Sequence, residues 1–240
     1  KKIKLSPDVE LERLARGTPM FSGADLAAII NEAAIAATMQ EKDYVEQEDL
    51  EEARDKVKYG RSRRSHVIEE EERIATAYHE AGHAVLQATI PGADPLHKVT
   101  IIPRGQALGA TFSIPEKDRH GVGLKWLRAT MRVVCGGRIA ELRKTGDASS
   151  GASMDIQQLT AMARAAVLEW GMSERLGFVR YASTDTRDAL VRERDFSSDT
   201  ARRIEAQVRA VAASAYRDAE NIINENWDAV SRIAEALLKH

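Results

Sequence analysis

The residues His79-Glu80-Ala81-Gly82-His83 have the types and the spacing needed for metal-assisted hydrolysis. Two histidines four positions apart lie on one face of a helix, one turn from each other. Two neutral imidazoles in this arrangement can bind one zinc ion and leave room for a third protein ligand and a water. Glu80 can then act as a general base toward that water. The pentapeptide predicts a zinc-dependent peptide hydrolase; the simpler alternative is two ordinary histidines on a half-buried helix.

The flanking sequence predicts the helix that this geometry requires. Apolar residues recur at three- and four-residue steps from Ile74 to Val85, and Pro91-Gly92 ends the run. Glutamates at 69–72 place negative charge at the predicted helix start, where the helix dipole favours it. Gly82 costs about 1 kcal/mol relative to alanine inside a helix, and we interpret it as space for another backbone or for the ion.

Composition indicates a globular chain and excludes several classes of protein. Of the 240 residues, 43% are hydrophobic and 30% are charged, so the chain can form one large domain or two modest ones. A net charge of −2 gives no reason to expect nucleic acid as a partner. The single cysteine, Cys135, excludes an internal disulfide, and its apolar neighbours predict that it is buried. There is no apolar run of 18 residues, so we expect this stretch of chain to be soluble.

Residues 1–60 read as a small helical module followed by a polar linker at Gly60–Ser65. Ser6-Pro7 predicts the start of a first helix that Gly17 closes. Ser22 and Asp25 have the spacing of a capping box and predict a second helix through Ala37. A third helix is expected over residues 47–57.

The second part, residues 61–240, is predicted to be mostly helical with a small β-sheet. We expect strands over residues 98–103 and 110–114, with a weaker candidate at 178–181. After Gly123 we expect helices over residues 124–142, 155–170, 198–219 and 219–238. The predicted fold class is therefore mainly α with a small sheet, whose 98–103 strand is a candidate edge for binding an extended peptide.

A zinc hydrolase needs a third protein ligand, and the spacing leaves five candidates open. Asp155 lies at the start of a predicted helix, after the small-residue loop 149–153, which would let it approach the histidines. Because both imidazoles must be neutral to bind zinc, the affinity should fall as the pH drops through about 6.5. The five candidates are Glu141, Asp147, Asp155, His97 and His120.

Several motifs in order resemble one known family. Residues 20–26 and 31–34 resemble the helical lid of an AAA ATPase module, and residues 77–84 resemble the zinc helix of the FtsH family of membrane-anchored AAA metalloproteases. Further segments are similar to that family at fitting spacings: His97-Lys98, Ile101–Gly105, Gly136–Glu141, Gly151–Asp155 and Gly171–Glu174. Met154 departs from the pattern, which leads us to expect a polar residue there.

The resemblance implies a specific site and a specific protein. It places the zinc (Zn2+) ligands on His79, His83 and Asp155, the general base on Glu80, and an acidic residue near the metal on Glu141. It implies an AAA lid over residues 1–60 and an M41-like zinc metalloprotease domain over residues 61–240. Metal-activated water would cleave unfolded or misfolded proteins inside a homo-hexamer.

The rest of that family's machinery is not found in the sequence. No Gly-x-x-x-x-Gly-Lys-Ser/Thr phosphate loop occurs in the chain, so we expect a fragment in which ATP and Mg2+ act only in the full-length protein. The family implies a membrane anchor outside this chain, at the cytoplasmic face of a bacterial inner membrane or at an organellar membrane. The main alternative is an ATPase-associated helical interaction module with a structural metal; a second is a zinc hydrolase unrelated to AAA proteins.

Overall fold

The computed structural model describes residues 3–61, 68–103, 108–115, 121–147, 149–182 and 196–239. These residues form a mainly α-helical protein with one two-stranded sheet, so the predicted fold class is confirmed. The elements in chain order are α1 (Leu11–Arg16), α2 (Gly23–Met39), α3 (Gln47–Tyr59), α4 (Glu70–Thr89), β1 (Leu96–Thr100), β2 (Ala110–Ser113), α5 (Leu124–Thr145), α6 (Ser153–Leu168), α7 (Ser198–Glu225) and α8 (Trp227–Lys239).

The chain forms two compact units. The first unit comprises Lys1–Thr76 and Asp94–His120, and the second comprises Ala77–Ala93 and Gly121–His240. The two strands therefore lie in the same unit as the N-terminal helices. The domain boundary between residues 60 and 61 stays a prediction. No helix within the described ranges combines the length and the apolar character needed to cross a bilayer.

The first three helices pack around a small apolar core and are set by local sequence signals. The capping box is confirmed: the Ser22 amide donates to Asp25 Oδ2 at 2.9 Å, and the Asp25 amide donates to Ser22 Oγ at 3.2 Å. A hydrophobic face then repeats along α2 and meets α3. The buried core residues are Leu14, Ile29, Ala33, Ala37, Val45, Leu50 and Ala53.

The predicted start of the first helix at Ser6-Pro7 is wrong. α1 begins at Leu11, and its N-cap is Glu10. The Ser6 amide instead donates to the Val45 carbonyl at 2.9 Å, and Leu5 forms a parallel bridge with Val45. This long-range pairing keeps Ser6 extended, so the proline lies in a turn rather than in the first turn of a helix.

The two strands form an antiparallel hairpin whose first strand is displaced from its predicted position. β1 pairs with β2 through Val99–Thr111 and Thr100–Ala110, with an irregularity between Leu96 and Lys98. It covers residues 96–100 rather than 98–103. It ends early because the Ile102 amide donates to Thr100 Oγ1 at 3.1 Å, which turns the backbone out of the ladder. The second strand lies where we expected it, within one residue.

The second unit packs the C-terminal part of α4 with α5, α6, α7 and α8. Tyr78 of α4 stacks on Trp227 of α8 with ring centroids 5.6 Å apart, and Arg143 of α5 lies 4.5 Å above the Trp227 ring. Cys135 is buried in α5, as predicted, and its thiol donates to the Met131 carbonyl at 3.2 Å. The contact between Tyr78 and Trp227 fixes the residue that directly precedes His79.

Two predictions for this unit are wrong. The two last helices meet at Asn226 rather than at Ala219, which is fully buried within α7; the Asn226 side chain donates to the Ile222 carbonyl at 2.8 Å. Residues 178–181 form no strand. The Tyr181 amide instead donates to the Leu168 carbonyl at 2.7 Å, so this segment folds back on the end of α6.

Met20 offers a direct test of backbone strain. Its φ is +65°, a left-handed conformation, and its side chain is fully exposed and gains no packing there. Because a β-carbon is strained at this φ and glycine is not, Met20→Gly should raise the free energy of unfolding by about 0.5–1 kcal/mol. Thermal unfolding followed by circular dichroism measures this. Met39→Gly, an exposed helical control, should destabilise; equal effects of the two substitutions would refute the strain.

Candidate metal centre

His79, His83 and Asp155 converge on one point in the second unit. Asp155 Oδ2 lies 3.1 Å from His79 Nε2 and 3.3 Å from His83 Nε2, and the two Nε2 atoms are 3.1 Å apart. One ligand atom from each residue lies within 4.8 Å of the others. The side chains are 11–21% exposed, so the cluster is accessible at one side. Two imidazole nitrogens and one carboxylate oxygen are the donor set of an open zinc site.

Two different elements bring the ligands together. The histidines are one turn apart on α4, and Asp155 lies in the first turn of α6, after the short 3₁₀ turn Ser150–Ala152. The α6 N-cap, Ala152, offers no side-chain cap, and the negative charge of Asp155 suits the dipole at that helix end.

The second nitrogen of each histidine is held by α5. The Val133 carbonyl accepts a hydrogen bond from His83 Nδ1 at 2.8 Å, which leaves the His83 Nε2 lone pair facing the cluster when the ring is neutral. Glu141 Oε2 lies 3.3 Å from His79 Nδ1 and accepts from it. Such contacts fix ring orientation and raise the basicity of the ligating nitrogen. Glu141 thus contacts His79 without joining the cluster itself, and its predicted role near a metal stays a prediction.

Glycines at the crossing of α4 and α5 make room for this arrangement. A β-carbon on Gly82 would overlap the Gly136 carbonyl oxygen, and one on Gly136 would lie 2.7 Å from the Gly82 carbonyl oxygen. A β-carbon on Gly137 would overlap His79 Nε2. The expectation that Gly82 admits another backbone is confirmed, since the backbones of the two helices touch there.

Three glycine and carbonyl positions were missed by the sequence reasoning. Gly136 and Gly137 fall within a segment that resembles the family, and Val133 lies in the apolar run around Cys135. Two consecutive glycines inside an apolar helical run are a signal in themselves, because glycine is costly there and needs a packing reason. The carbonyl of Val133 leaves no such trace in the sequence.

The carboxylates change the protonation of the cluster. Burial alone would lower the pKa of His79, but hydrogen bonds to Asp155 and Glu141 outweigh it and raise that pKa to about 9. Burial opposes ionisation of Asp155, yet the two imidazoles hold its pKa well below the usual range. The hydrogen bond from His79 likewise lowers the pKa of Glu141. Without a metal, His79 is therefore a cation between two carboxylates at neutral pH.

The remaining ligand candidates are elsewhere or outside the described residues. His97 lies in the first unit, against Arg54 and Glu51. Asp147 is exposed just after the end of α5. His120 falls outside the described residues.

Glu80 is 6% exposed on the same helix as the histidines. Burial raises the pKa of the Cys135 thiol to about 12, so it is inert at neutral pH.

Comparison with known proteins gives matches along the whole chain. Residues 66–240 match Peptidase family M41, and residues 8–52 match the AAA+ lid domain. The first match covers every residue of the cluster described above.

Three curated relatives are named ATP-dependent zinc metalloprotease FtsH or FtsH 2. The chain is 52% identical over 243 residues to ATP-dependent zinc metalloprotease FtsH 2 of Methylacidiphilum infernorum, covering all of the chain and 38% of that protein. It is 45% identical over 244 residues to ATP-dependent zinc metalloprotease FtsH of Myxococcus xanthus, with the same coverage. The Acidobacterium capsulatum protein of that name is 46% identical over 243 residues. The chain thus spans little more than a third of the length of these relatives.

Gly137→Ala tests the packing of the cluster. The added methyl group would occupy the position of the His79 ring, so we expect zinc affinity to fall by at least about tenfold. Competition with a chromophoric chelator measures it, with circular dichroism to check that the helices are retained. Gly23→Ala is the matched control, because nothing lies within 4 Å of its β-carbon. Equal affinity in the two variants would show that the ring is not held there.

The raised pKa of His79 predicts a pH dependence. Below about pH 9 a metal must displace a proton from His79, so zinc affinity should rise about tenfold per pH unit from 7 to 9 and then level off. The pH range in which zinc affinity changes therefore lies above the range expected for histidines of ordinary pKa, near 6.5. In the metal-free chain the sign is opposite: the stabilisation by His79 is complete below pH 6.5 and is lost as the pH rises through about 9. Zinc affinity that is unchanged between pH 7 and 9, after correction for the chelator, would contradict the pairing of a cationic His79 with Asp155 and Glu141.

Proposed function

We propose that this chain, which belongs to peptidase family M41, is the lid and protease portion of an ATP-dependent zinc metalloprotease and that it hydrolyses peptide bonds. The observation that carries the proposal is the convergence of His79, His83 and Asp155. Within the described residues this cluster has three potential ligands, the number that leaves a coordination position open for substrate or water.

The ligands and their supports divide the work. Zinc held by His79, His83 and Asp155 would polarise the scissile carbonyl and lower the pKa of a coordinated water. Glu141 and the Val133 carbonyl keep both imidazoles turned toward the ion. The carboxylates of Asp155 and Glu141 reduce the net charge of the loaded site.

Glu80 is the proposed general base. It takes a proton from the attacking water while the water oxygen bonds to the carbonyl carbon, and it returns a proton to the leaving amine as the C–N bond breaks. Its position on α4 between the two histidines and its burial support this role.

Substrate would bind as an extended peptide along β1. This strand pairs with β2 along one edge, and within the described residues no strand pairs with its other edge. Backbone hydrogen bonds to that edge recognise the main chain more than particular side chains. Such recognition suits a protease that degrades many unfolded or misfolded proteins.

The intact protein supplies the remaining parts of the proposal. The AAA+ lid match and the names of the relatives support an ATP-driven ring, which we propose is a homo-hexamer that unfolds substrates and delivers them to the zinc site. ATP and Mg2+ would act there. We further propose that segments of the intact protein anchor it at the cytoplasmic face of a bacterial inner membrane or at an organellar membrane.

Glu80→Gln separates catalysis from metal binding. The amide keeps the size of the side chain but cannot accept the proton, so turnover of an unfolded protein such as casein should fall by at least about 100-fold. Zinc content, measured by elemental analysis, should stay at the wild-type level.

Two variants serve as controls for that experiment. Glu71→Gln changes an exposed glutamate of the same helix and should leave turnover unchanged. Asp155→Ala should lose zinc as well as activity. Substantial turnover by Glu80→Gln would remove Glu80 from the proposed role.

A further inference from the structure

A buried ion pair in the first unit has no part in the proposed chemistry. Asp55 of α3 is fully buried and Arg54 is 3% exposed. Arg54 Nε and Nη2 both donate to Asp55 Oδ1, at 3.0 and 2.7 Å. Buried charges are costly to desolvate and persist only where their partners are well placed. This pair therefore depends on every group that surrounds it.

Two of those groups belong to β1. Lys98 Nζ lies 3.4 Å from Asp55 Oδ2, so the second carboxylate oxygen faces the strand. His97 Nε2 lies 3.4 Å from Arg54 Nη2. Burial and the Arg54 cation lower the pKa of His97, and the neutral ring accepts this hydrogen bond. Successive residues of β1 thus contact successive residues of α3.

The same cluster extends to α1. Glu51 Oε2 lies 3.6 Å from His97 Nε2, and Glu51 Oε1 accepts from Arg13 Nε at 3.0 Å. Gly17, at the end of α1, leaves the space that the Arg54 guanidinium occupies: a β-carbon there would lie 2.7 Å from Nη1. Gly17, Arg54 and His97 also line one small pocket with β2 residues. Helices α1 and α3 thus form a packing surface for the hairpin.

The hairpin needs such a packing surface to be stable. A two-stranded sheet is marginally stable alone in water and requires a packing partner. Among the described residues its sheet has only β1 and β2. Exposed ion pairs such as Arg202–Asp199, with both side chains more than two-thirds exposed, add little to stability. A buried pair with directed hydrogen bonds can fix a position.

We propose that Arg54 and Asp55 are positioning residues that hold β1 in the geometry that receives an extended peptide. This rests on the proposed function, in which β1 binds substrate. α3 begins within the AAA+ lid match at residues 8–52, and β1 lies within the M41 match at residues 66–240. Arg54 and Asp55 lie just after the lid match, on the helix that begins inside it. Their contacts with β1, which we call the anchor, therefore connect α3 to a strand of the M41 region, and a displacement of α3 is passed to the peptide-binding strand.

Two variants break the anchor from opposite sides. Asp55→Asn removes the carboxylate charge at nearly constant volume. Lys98→Met removes the β1 cation from a 37% exposed side chain and leaves the Arg54–Asp55 pair intact, so it decides the question if Asp55→Asn fails to fold. Lys98→Arg keeps the charge and is the conservative variant. Asp218→Asn is the matched control, since it breaks the Arg132–Asp218 pair of the second unit, with its 2.6 Å contact.

Hydrogen exchange measures the anchoring without requiring cleavage. Asp55→Asn and Lys98→Met should speed amide exchange within Leu96–Thr100 by about tenfold and leave α5 to α8 unchanged. Lys98→Arg and Asp218→Asn should match the wild type at β1. Unchanged exchange at β1, or an equal rise throughout the chain, would overturn the anchor.

Kinetics on a long unstructured peptide measures the consequence. A misplaced strand weakens binding, so KM should rise by about fivefold or more while kcat stays within about twofold. A fall in kcat at constant KM would overturn the positioning role. If the wild-type chain holds zinc but does not cleave the peptide, the proposed function fails, whereas the exchange result still decides the anchor.

Discussion

The contact between the backbones of α4 and α5 at Gly82 and Gly136 determines the geometry of the cluster formed by His79, His83 and Asp155. It brings α5 close enough for the Val133 carbonyl to reach His83 and for Glu141 to reach His79. It also leaves the space beside Gly137 that the His79 ring fills. Each glycine costs about 1 kcal/mol in a helix interior relative to alanine. The helices tolerate that cost because Tyr78, Trp227 and Arg143 hold them together next to the site.

A second principle is shared by both units: a charged or polar group is placed where a β-carbon is missing. Gly137 makes room for His79, and Gly17 makes room for Arg54. In the first case the His79 ring is held between the carboxylates of Asp155 and Glu141. In the second, Arg54 pairs with Asp55 and connects α3 to β1. A side chain at Gly137 or Gly17 would therefore displace the charged or polar group that the site requires.

Local sequence signals were enough for much of this structure. The Ser22–Asp25 capping box, the period of α4 and the β-branched run before Pro103 each predicted an element, because their determinants lie within a few residues. Where the structure differs, a distant partner decides. Val45 keeps Ser6 extended, and Leu168 takes up the backbone of Tyr181. For the site, spacing identified the two histidines but left five candidates for the third ligand. Spacing could not choose among them, since only tertiary packing brings Asp155 to the histidines. The roles of Gly137 and the Val133 carbonyl depend on the helix crossing and were not predictable from spacing.

We propose that His79, His83 and Asp155 form an open zinc site. A crystal structure of the zinc-loaded chain, with anomalous data on both sides of the zinc absorption edge, tests it most directly. We predict one anomalous peak about 2.0–2.2 Å from His79 Nε2, His83 Nε2 and an Asp155 oxygen, with a fourth position held by solvent. A peak elsewhere, or a fourth protein ligand that closes the site, would contradict the claim and favour a structural metal.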